Sequence, residues 1–154
     1  MQEWVLLAYR LPREPSTPRI AVWRKLERLG VARLLDGLVA LPRDSRTQEQ
    51  FEWLAEEITD AGGEATVWFA EPGGRAQQRE LSTAMARRAA EEYDDVIRSA
   101  AQARDDPPAA RRRALTRLRR ELRTIEGRDY FAPPQRERAR RAVRQLAALV
   151  EVPT

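Results

Sequence analysis

The chain has 154 residues, 28 basic and 24 acidic, and it contains neither cysteine nor histidine. Disulfides, thiolate metal sites and cysteine nucleophiles are therefore excluded, and carboxylates remain as the candidate ligands or acid–base groups. No stretch approaches the roughly 18 apolar residues that a membrane span requires, and the N-terminus lacks the pattern of a signal peptide. We expect a cytoplasmic protein with no membrane partner.

The first predicted elements are a strand and a helix. Residues 4–9, WVLLAY, form an apolar run that is typical of a strand in the middle of a sheet. Thr17 and Pro18 match a helix start, with a hydroxyl N-cap followed by proline, and Gly30 ends the helix. Its predicted inward side consists of Val22, Trp23, Leu26 and Leu29.

Asp36 and Gly37 lie between two apolar runs, residues 31–35 and 38–42. This pattern predicts a β-hairpin closed by a type I′ turn, in which both central residues have positive φ. A single bent strand over the same residues is the alternative.

A second helix and a last strand follow the predicted hairpin. Thr47 and Gln50 match a capping box at the start of the helix, and two glycines at 62–63 mark its end. Residues 65–70, ATVWFA, then form the last predicted strand. The apolar edge of the helix consists of Phe51, Leu54, Ala55 and Ile58.

The predicted order is therefore strand, helix, hairpin, helix, strand. Two right-handed βαβ units that share a four-stranded antiparallel sheet give a ferredoxin-like α+β fold, βαββαβ, with both helices on one face. We expect residues 1–74 to form this domain. Residues 75–154 are helical in pattern, and we expect three C-terminal helices that pack on the domain or dimerise over its open sheet face.

Charge divides between the two parts of the chain. Residues 1–74 hold 9 basic and 12 acidic residues, a net of −3, whereas residues 75–154 hold 19 and 12, a net of +7. Residues 111–144 alone hold 13 arginines and four acids, 13 − 4 = +9. Such asymmetry indicates an anionic partner.

A basic helical pair at 108–150 carries most of this charge. Its predicted apolar edges hold Leu115, Leu118, Leu122 and Ile125 in the first helix, and Ala139, Val143, Leu146 and Val150 in the second. Guanidinium groups match phosphate oxygens bidentately and release counterions from nucleic acid, so we interpret the outer faces as a DNA-binding surface. A merely solvated basic surface is the alternative. The candidate phosphate contacts are Arg111, Arg112, Arg113, Arg117, Arg119, Arg120, Arg123, Arg136, Arg140 and Arg144, with a second patch at Arg24, Lys25 and Arg28.

A dense acidic cluster, Glu91, Glu92, Asp94 and Asp95, is the one candidate for a hard divalent cation. Such sites need about six well-placed oxygens, so we favour a solvated patch that pairs with neighbouring arginines. No metal, other cofactor or catalytic residue is assigned, and a metal-dependent enzyme ranks last among the hypotheses.

Several segments in order resemble a known family. They are WVLLAYRLPREPSTPRIAVWRKLERLG, VARLLDGLVALP, EQFEWLAEEITDAGGEATVWFA and RRELRTIEGRDYF, and they are similar to the N-terminal domain of the chromate resistance protein ChrB. The resemblance implies a chromate-responsive transcriptional regulator that controls an efflux operon by binding its promoter. It also implies a distant likeness to PaaX-type repressors and to a small CRISPR adaptation nuclease. The metal-binding aspartate of that nuclease is replaced here by the run YRLP at 9–12, which argues against nuclease activity.

Full-length members of the family look like two-domain chains, and a C-terminal domain is associated with the chromate response. We expect this sequence to be a stand-alone version or a fragment without that domain. The leading hypothesis is a non-enzymatic regulator that binds double-stranded promoter DNA as a homodimer, with chromate or another oxyanion as candidate effector. The alternative is a non-catalytic protein-interaction or oxyanion-binding module whose arginines are solvated.

Overall fold

The computed structural model describes residues 1–151, which form four strands and five helices. The chain divides into two compact units, Met1–Ala84 and Met85–Thr154. The elements are β1 (Trp4–Arg10), α1 (Thr17–Leu29), β2 (Ala32–Leu35), β3 (Leu38–Pro42), α2 (Ser45–Asp60), β4 (Glu64–Ala70), α3 (Arg75–Ala103), α4 (Pro108–Gly127) and α5 (Gln135–Glu151).

The four strands form one antiparallel sheet in the order β2-β3-β1-β4. Strand β1 lies between β3 and β4, so that Leu7 pairs with Val39 on one side and with Val67 on the other. Trp4 and Val5 are both buried although successive side chains of a strand point to opposite faces of the sheet, which explains the continuous apolar run at the start of β1. The predicted central strand and the α+β class with a four-stranded antiparallel sheet are confirmed.

The hairpin formed by β2 and β3 is confirmed, and the single bent strand is wrong. Its turn differs from the expected type. Of the two central residues Gly37 alone has a positive φ, of 77°, so Asp36 and Gly37 do not form a type I′ turn. The carbonyl oxygen of Gly37 accepts a hydrogen bond of 2.8 Å from the amide of Tyr9, which ties the turn to the end of β1.

Helix α1 buries a narrower stripe than its sequence predicts. Val22 and Leu26 are buried, but Trp23 is 54% exposed, so the prediction of an inward Trp23 is wrong. The N-cap is Ser16 rather than Thr17, and its side chain makes no capping hydrogen bond. Spacing alone places Trp23 next to the buried residues Val22 and Leu26, so the sequence does not distinguish its exposed position from a buried one.

Helix α2 begins with a capping box, although not at the predicted residue. Asp44 is the N-cap, and its carboxylate accepts a 2.8 Å hydrogen bond from the amide of Thr47, whose hydroxyl oxygen accepts one of 2.9 Å from the amide of Asp44. Thr47 is thus at N3 and is buried, and its hydroxyl also donates to the carbonyl of Pro42. The buried face of α2 contains Phe51, Leu54 and Ile58.

The second unit has a core of its own, built from the later turns of α3 and from α4 and α5. The predicted apolar edges of the two basic helices are confirmed, with Leu122 and Val150 half-buried and the others buried. No helix among residues 1–151 combines the length and apolar character needed to cross a bilayer. The core residues are Ala89, Tyr93, Val96, Ala100, Ala103, Ala114, Leu115, Leu118, Ile125, Ala139, Val143, Leu146 and Ala147.

Candidate nucleic-acid interface

One side of helix α4 is covered by exposed arginines. Because Leu115, Leu118 and Ile125 turn one side of the helix into the core, the residues at intermediate spacings lie on the opposite side. Pro108 stands in the first turn, where its missing N–H costs nothing. We call the following exposed residues the α4 face: Arg112, Arg113, Arg117, Arg119, Arg120 and Arg123.

Carboxylates engage the α4 face only weakly. Arg117 lies 3.8 Å from Glu121, and Arg119 lies 3.7 Å from Glu151, with all four side chains exposed. Pairs of this length in water contribute about 0–1 kcal/mol. Among the described residues, no carboxylate pairs with the other four arginines of the face, so the whole surface is open to an external anion.

Arg111 is the one predicted contact of α4 that does not belong to this face. Its side chain is half-buried, and its Nη2 donates a hydrogen bond of 3.1 Å to the carbonyl oxygen of Asp106. Arg111 therefore stabilises the turn between α3 and α4.

Two predicted contacts on α5, Arg140 and Arg144, are already paired with carboxylates. Nε of Arg140 donates a hydrogen bond of 2.6 Å to Glu126 of α4, and Arg140 also lies 3.8 Å from Glu137. Arg144 donates a hydrogen bond of 3.1 Å to Glu137. The hydrogen bond from Arg144 lowers the pKa of Glu137, and that to Glu126 raises the pKa of Arg140. The structure thus does not bring Arg140 and Arg144 together with the α4 face as free cations.

Arg136 belongs to a buried polar cluster that sequence reasoning did not find. Its Nη1 lies 3.6 Å from Oδ2 of Asp129, whose side chain is 1% exposed. The same oxygen accepts a 2.8 Å hydrogen bond from the hydroxyl of Tyr93, while Oδ1 accepts from the amides of Phe131 and Ala132. Burial, followed by the bond to Asp129, raises the pKa of Tyr93 well above its ordinary value.

This cluster fixes the turn between α4 and α5 to α3. Glu92 of α3 also accepts a hydrogen bond from Arg128 at the end of α4. The sequence signal was the acid and aromatic in GRDYF, which directly follow the last turn of a helix. A buried acid in such a turn is typical of backbone capping.

The second basic patch lies on α1, in the other unit. Arg24 and Arg28 are exposed, whereas Nζ of Lys25 pairs with Glu57 of α2 at 2.6 Å. Arg28 and the exposed Trp53 line a small cavity of about 260 Å³ between α1 and α2. The patch therefore retains two exposed guanidinium groups.

The acidic residues of α3 do not converge on a cation site. Glu92 pairs with Arg128, and Asp95 pairs with Arg98 of the same helix. Within residues 1–151 no group of three or more acidic side chains could hold a metal ion.

The sheet, the helical unit and the α4 face together define an α+β protein with an arginine-covered helical extension. The family model described as "Protein ChrB, N-terminal" matches residues 19–106, more than half of the chain. The chain therefore belongs to the ChrB N-terminal family, which links it to chromate resistance. No curated protein matches the sequence. The matched residues end at Asp106, so the α4 face lies outside them.

Proposed function

We propose that the chain is a DNA-binding transcriptional regulator, linked to chromate resistance, and that the α4 face binds the phosphates of double-stranded promoter DNA. The observation that carries this proposal is the concentration of six exposed arginines on one side of one helix. Four of them have no carboxylate partner among residues 1–151. A surface of this kind attracts a polyanion strongly, since each contact releases counterions from the duplex.

The dimensions of the α4 face fit a duplex. At about 1.5 Å per residue, the distance along the helix from Arg112 to Arg123 is roughly 16 Å. This length exceeds the major-groove width of about 12 Å, so arginines near the two ends of the face can reach phosphates on opposite sides of one groove. Contacts of this type position a protein on DNA without reading the sequence, so the proposal concerns phosphate binding rather than base readout.

The test compares DNA affinity over a range of salt concentrations. A triple variant, Arg113→Gln, Arg120→Gln and Arg123→Gln, removes three of the unpaired guanidinium groups. We expect its plot of log affinity against log salt to be shallower than that of the wild type by about 2–3, because each lost phosphate contact reduces the slope by about 0.9. Fluorescence anisotropy with a labelled duplex from the gene's upstream region measures both slopes.

The matched control removes the same charge from exposed arginines elsewhere, through Arg13→Gln, Arg75→Gln and Arg79→Gln. We expect the control to keep a slope within about 1 of the wild type, since it loses no phosphate contact. Equal losses in both triple variants would mean that net charge, and not the α4 face, governs binding. A wild-type protein that retards no duplex at micromolar concentration would instead support the protein-interaction or oxyanion-binding module.

Membership of the family supports the further proposal that an oxyanion, with chromate as the first candidate, acts as effector on DNA binding. The test is a gel shift on the upstream duplex with chromate and, as control, with sulfate at equal concentration. Release of the duplex in the presence of chromate, but not of sulfate, supports the proposal. Identical retardation of the duplex in both samples would contradict effector sensing by this chain, and the proposal of DNA binding would be unaffected.

We also propose that the first unit is a ferredoxin-like fold. The support is its βαββαβ order and the position of β1 between β3 and β4. In this arrangement β1 and β2 run in the same direction with β3 between them, as β3 and β4 do with β1 between them. Each helix thus connects two parallel strands across a third strand, which is the split βαβ pattern.

We propose that the DNA-binding species is a homodimer. The support lies on the sheet, where Trp68 of β4 is 59% exposed beside its cross-strand neighbour Leu6 of β1. A large aromatic side chain exposed on a sheet is typical of a protein contact. Two copies would present two α4 faces to one duplex.

A further inference from the structure

A groove in the first unit lies between α1 and the β2–β3 hairpin and has a volume of about 850 Å³. This volume falls within the range of small-molecule sites, about 300–1,000 Å³. We call it the α1 groove, and its argument rests on Arg19, Ile20 and Trp23 of α1 and on Arg33 and Leu35 of β2.

The apolar part of the α1 groove is unusually exposed for side chains of this kind. Trp23 is 54% exposed, Leu35 is 71% exposed and Ile20 is 46% exposed, although all three line the same groove. Ile20 and Trp23 are three residues apart on α1 and so share one side of the helix. A flat ring that entered the groove would cover all three side chains and remove their apolar surface from water.

The polar part of the same groove is basic. Arg10, Arg19 and Arg33 line it together with one acid, Asp36, so the ionisable lining has a net charge of 3 − 1 = +2. Arg10 and Arg33 hold ion pairs with Glu64 at 2.8 Å and with Glu27 at 3.0 Å. Among residues 1–151, Arg19 has no ion-pair partner, so its guanidinium is free to bind an anion.

The basic and apolar parts of the groove meet at Trp23. The guanidinium carbon of Arg33 lies 5.8 Å from the centroid of the Trp23 ring. The guanidinium lies over the ring in a cation–π contact, so positive charge is held at the aromatic surface of the groove. The groove therefore matches a ligand that has an aromatic plane and an anionic group at its edge.

We propose that the α1 groove binds a small aromatic anion, that is, a planar ring that carries a carboxylate, sulfonate or phosphate. The ring stacks against Trp23 and contacts Ile20 and Leu35, while the anionic group accepts hydrogen bonds from Arg19 and Arg33. A ligand with only the aromatic ring, or with only the anionic group, does not match the groove. A neutral aromatic compound leaves the guanidinium of Arg19 without an anion, and an inorganic oxyanion leaves the apolar side chains exposed to water.

The experiment uses the full chain and 1-anilinonaphthalene-8-sulfonate, an aromatic anion with a planar naphthalene ring, whose fluorescence rises on binding. We expect Trp23→Ala and Arg19→Gln each to weaken its affinity by about tenfold, since one removes the stacking surface and the other an unpaired cation. The control Trp53→Ala removes a tryptophan that is 56% exposed and lies outside the groove, so it should leave the affinity unchanged. Far-UV circular dichroism verifies that the variants, all at exposed positions, remain folded.

Displacement of the bound dye separates the chemical classes of ligand. We expect 1-naphthoate to displace it, and 1-naphthalenemethanol and sulfate to displace it at least about tenfold less well. The proposal is overturned if the neutral alcohol competes as well as the naphthoate, because the site is then only an apolar patch. It is also overturned if sulfate competes equally, or if Trp53→Ala loses as much affinity as Trp23→Ala.

Discussion

The side chain of Asp129 in the second unit is almost completely buried. Its carboxylate is buried and serves a hydroxyl, two backbone amides and the nearby Arg136. Replacement by alanine leaves these donors without an acceptor away from water. A buried donor that loses its partner costs about 1–3 kcal/mol, so several together make this position decisive for the turn between α4 and α5.

We therefore expect Asp129→Ala to lower the free energy of unfolding by about 3–5 kcal/mol. Asp105→Ala is the control, because Asp105 is exposed beside the turn between α3 and α4, and it should cost less than about 0.5 kcal/mol. Urea denaturation followed by circular dichroism measures both values. Equal stability of the two variants would show that the buried cluster does not hold the turn.

Tyr93 gives this cluster a pH dependence. Burial and the hydrogen bond to Asp129 raise the pKa of Tyr93 in the folded protein, whereas a tyrosine in the unfolded chain titrates near pH 10. A group whose pKa is raised on folding contributes stability that is complete below its unfolded pKa and is lost as pH rises towards the folded one. The loss therefore lies on the alkaline side, above about pH 10.

We expect the wild-type midpoint of thermal unfolding to fall more steeply between about pH 10 and 12 than that of Tyr93→Phe, which cannot titrate there. The variant should be less stable by about 1 kcal/mol at neutral pH, because it lacks the hydrogen bond to Asp129. Parallel pH profiles for the two proteins would contradict this account. Differential scanning calorimetry at several pH values supplies both profiles.

Among the elements, the β2–β3 hairpin has a turn whose backbone conformation and close approach to β1 require glycine at position 37. Gly37 has a φ of 77°, and a Cβ at this position would lie 2.5 Å from the carbonyl oxygen of Tyr9. A side chain would therefore be strained by its own backbone and would also push the turn away from β1. The hydrogen bond from the amide of Tyr9 to Gly37 would be lost as well.

We expect Gly37→Ala to destabilise the protein by about 2–4 kcal/mol, from backbone strain together with the lost hydrogen bond. Gly74→Ala is the matched control, since a Cβ there meets no atom within 4 Å and its φ is not in the left-handed region. The control should change the stability by less than about 1 kcal/mol. Chemical denaturation measures the free energy of unfolding of both variants. Equal losses would exclude the close approach to Tyr9 as the cause of the destabilisation by Gly37→Ala.

The elements could be predicted largely because each follows a local pattern. Apolar periodicity located α4 and α5, and Asp-Gly located the hairpin. The hydrogen bond between the turn and Tyr9 joins residues far apart in sequence, and local spacing does not show it. The predicted start of α2 differs from the observed one because both Asp44 and Thr47 suit an N-cap. The hydrogen bond from Thr47 to Pro42 depends on the tertiary fold, and local spacing does not predict it.

The candidate site could be predicted only in part for a similar reason. The free arginines of α4 follow from one helix and its own apolar side. The pairing of Arg140 with Glu126 joins residues on two helices, and it therefore required knowledge of how α4 packs on α5. The α1 groove was missed because its basic and aromatic residues come from α1 and β2. The three-residue spacing of Ile20 and Trp23 was its local signal.

At the scale of the whole molecule, the family match and the α4 face concern different parts of the chain. The matched residues 19–106 cover most of the sheet unit, in which residues 1–74 have a net charge of −3, whereas the free arginines lie beyond them. The family therefore supports the link to chromate resistance, while the DNA-binding proposal depends on charge and exposure in α4. Failure of one inference would leave the other standing.

The homodimer connects the exposed sheet face with DNA binding. If a second copy packs around Trp68, the substitution Trp68→Lys places a charge in an apolar contact and should convert a dimer to a monomer at micromolar concentration. Trp53→Lys on α2 is the matched control, because Trp53 is 56% exposed and the added charge is the same. Sedimentation equilibrium measures the mass of each protein.

Dissociation of the dimer should also weaken DNA binding, since the second α4 face no longer contacts the same duplex. Because phosphate contacts add to the slope of log affinity against log salt, the slope for Trp68→Lys should fall towards half that of Trp53→Lys. The dimer proposal is wrong if the wild-type protein is a monomer and if Trp68→Lys has the same slope of log affinity against log salt as Trp53→Lys. The α4 face would then have to account for the whole salt dependence from a single copy.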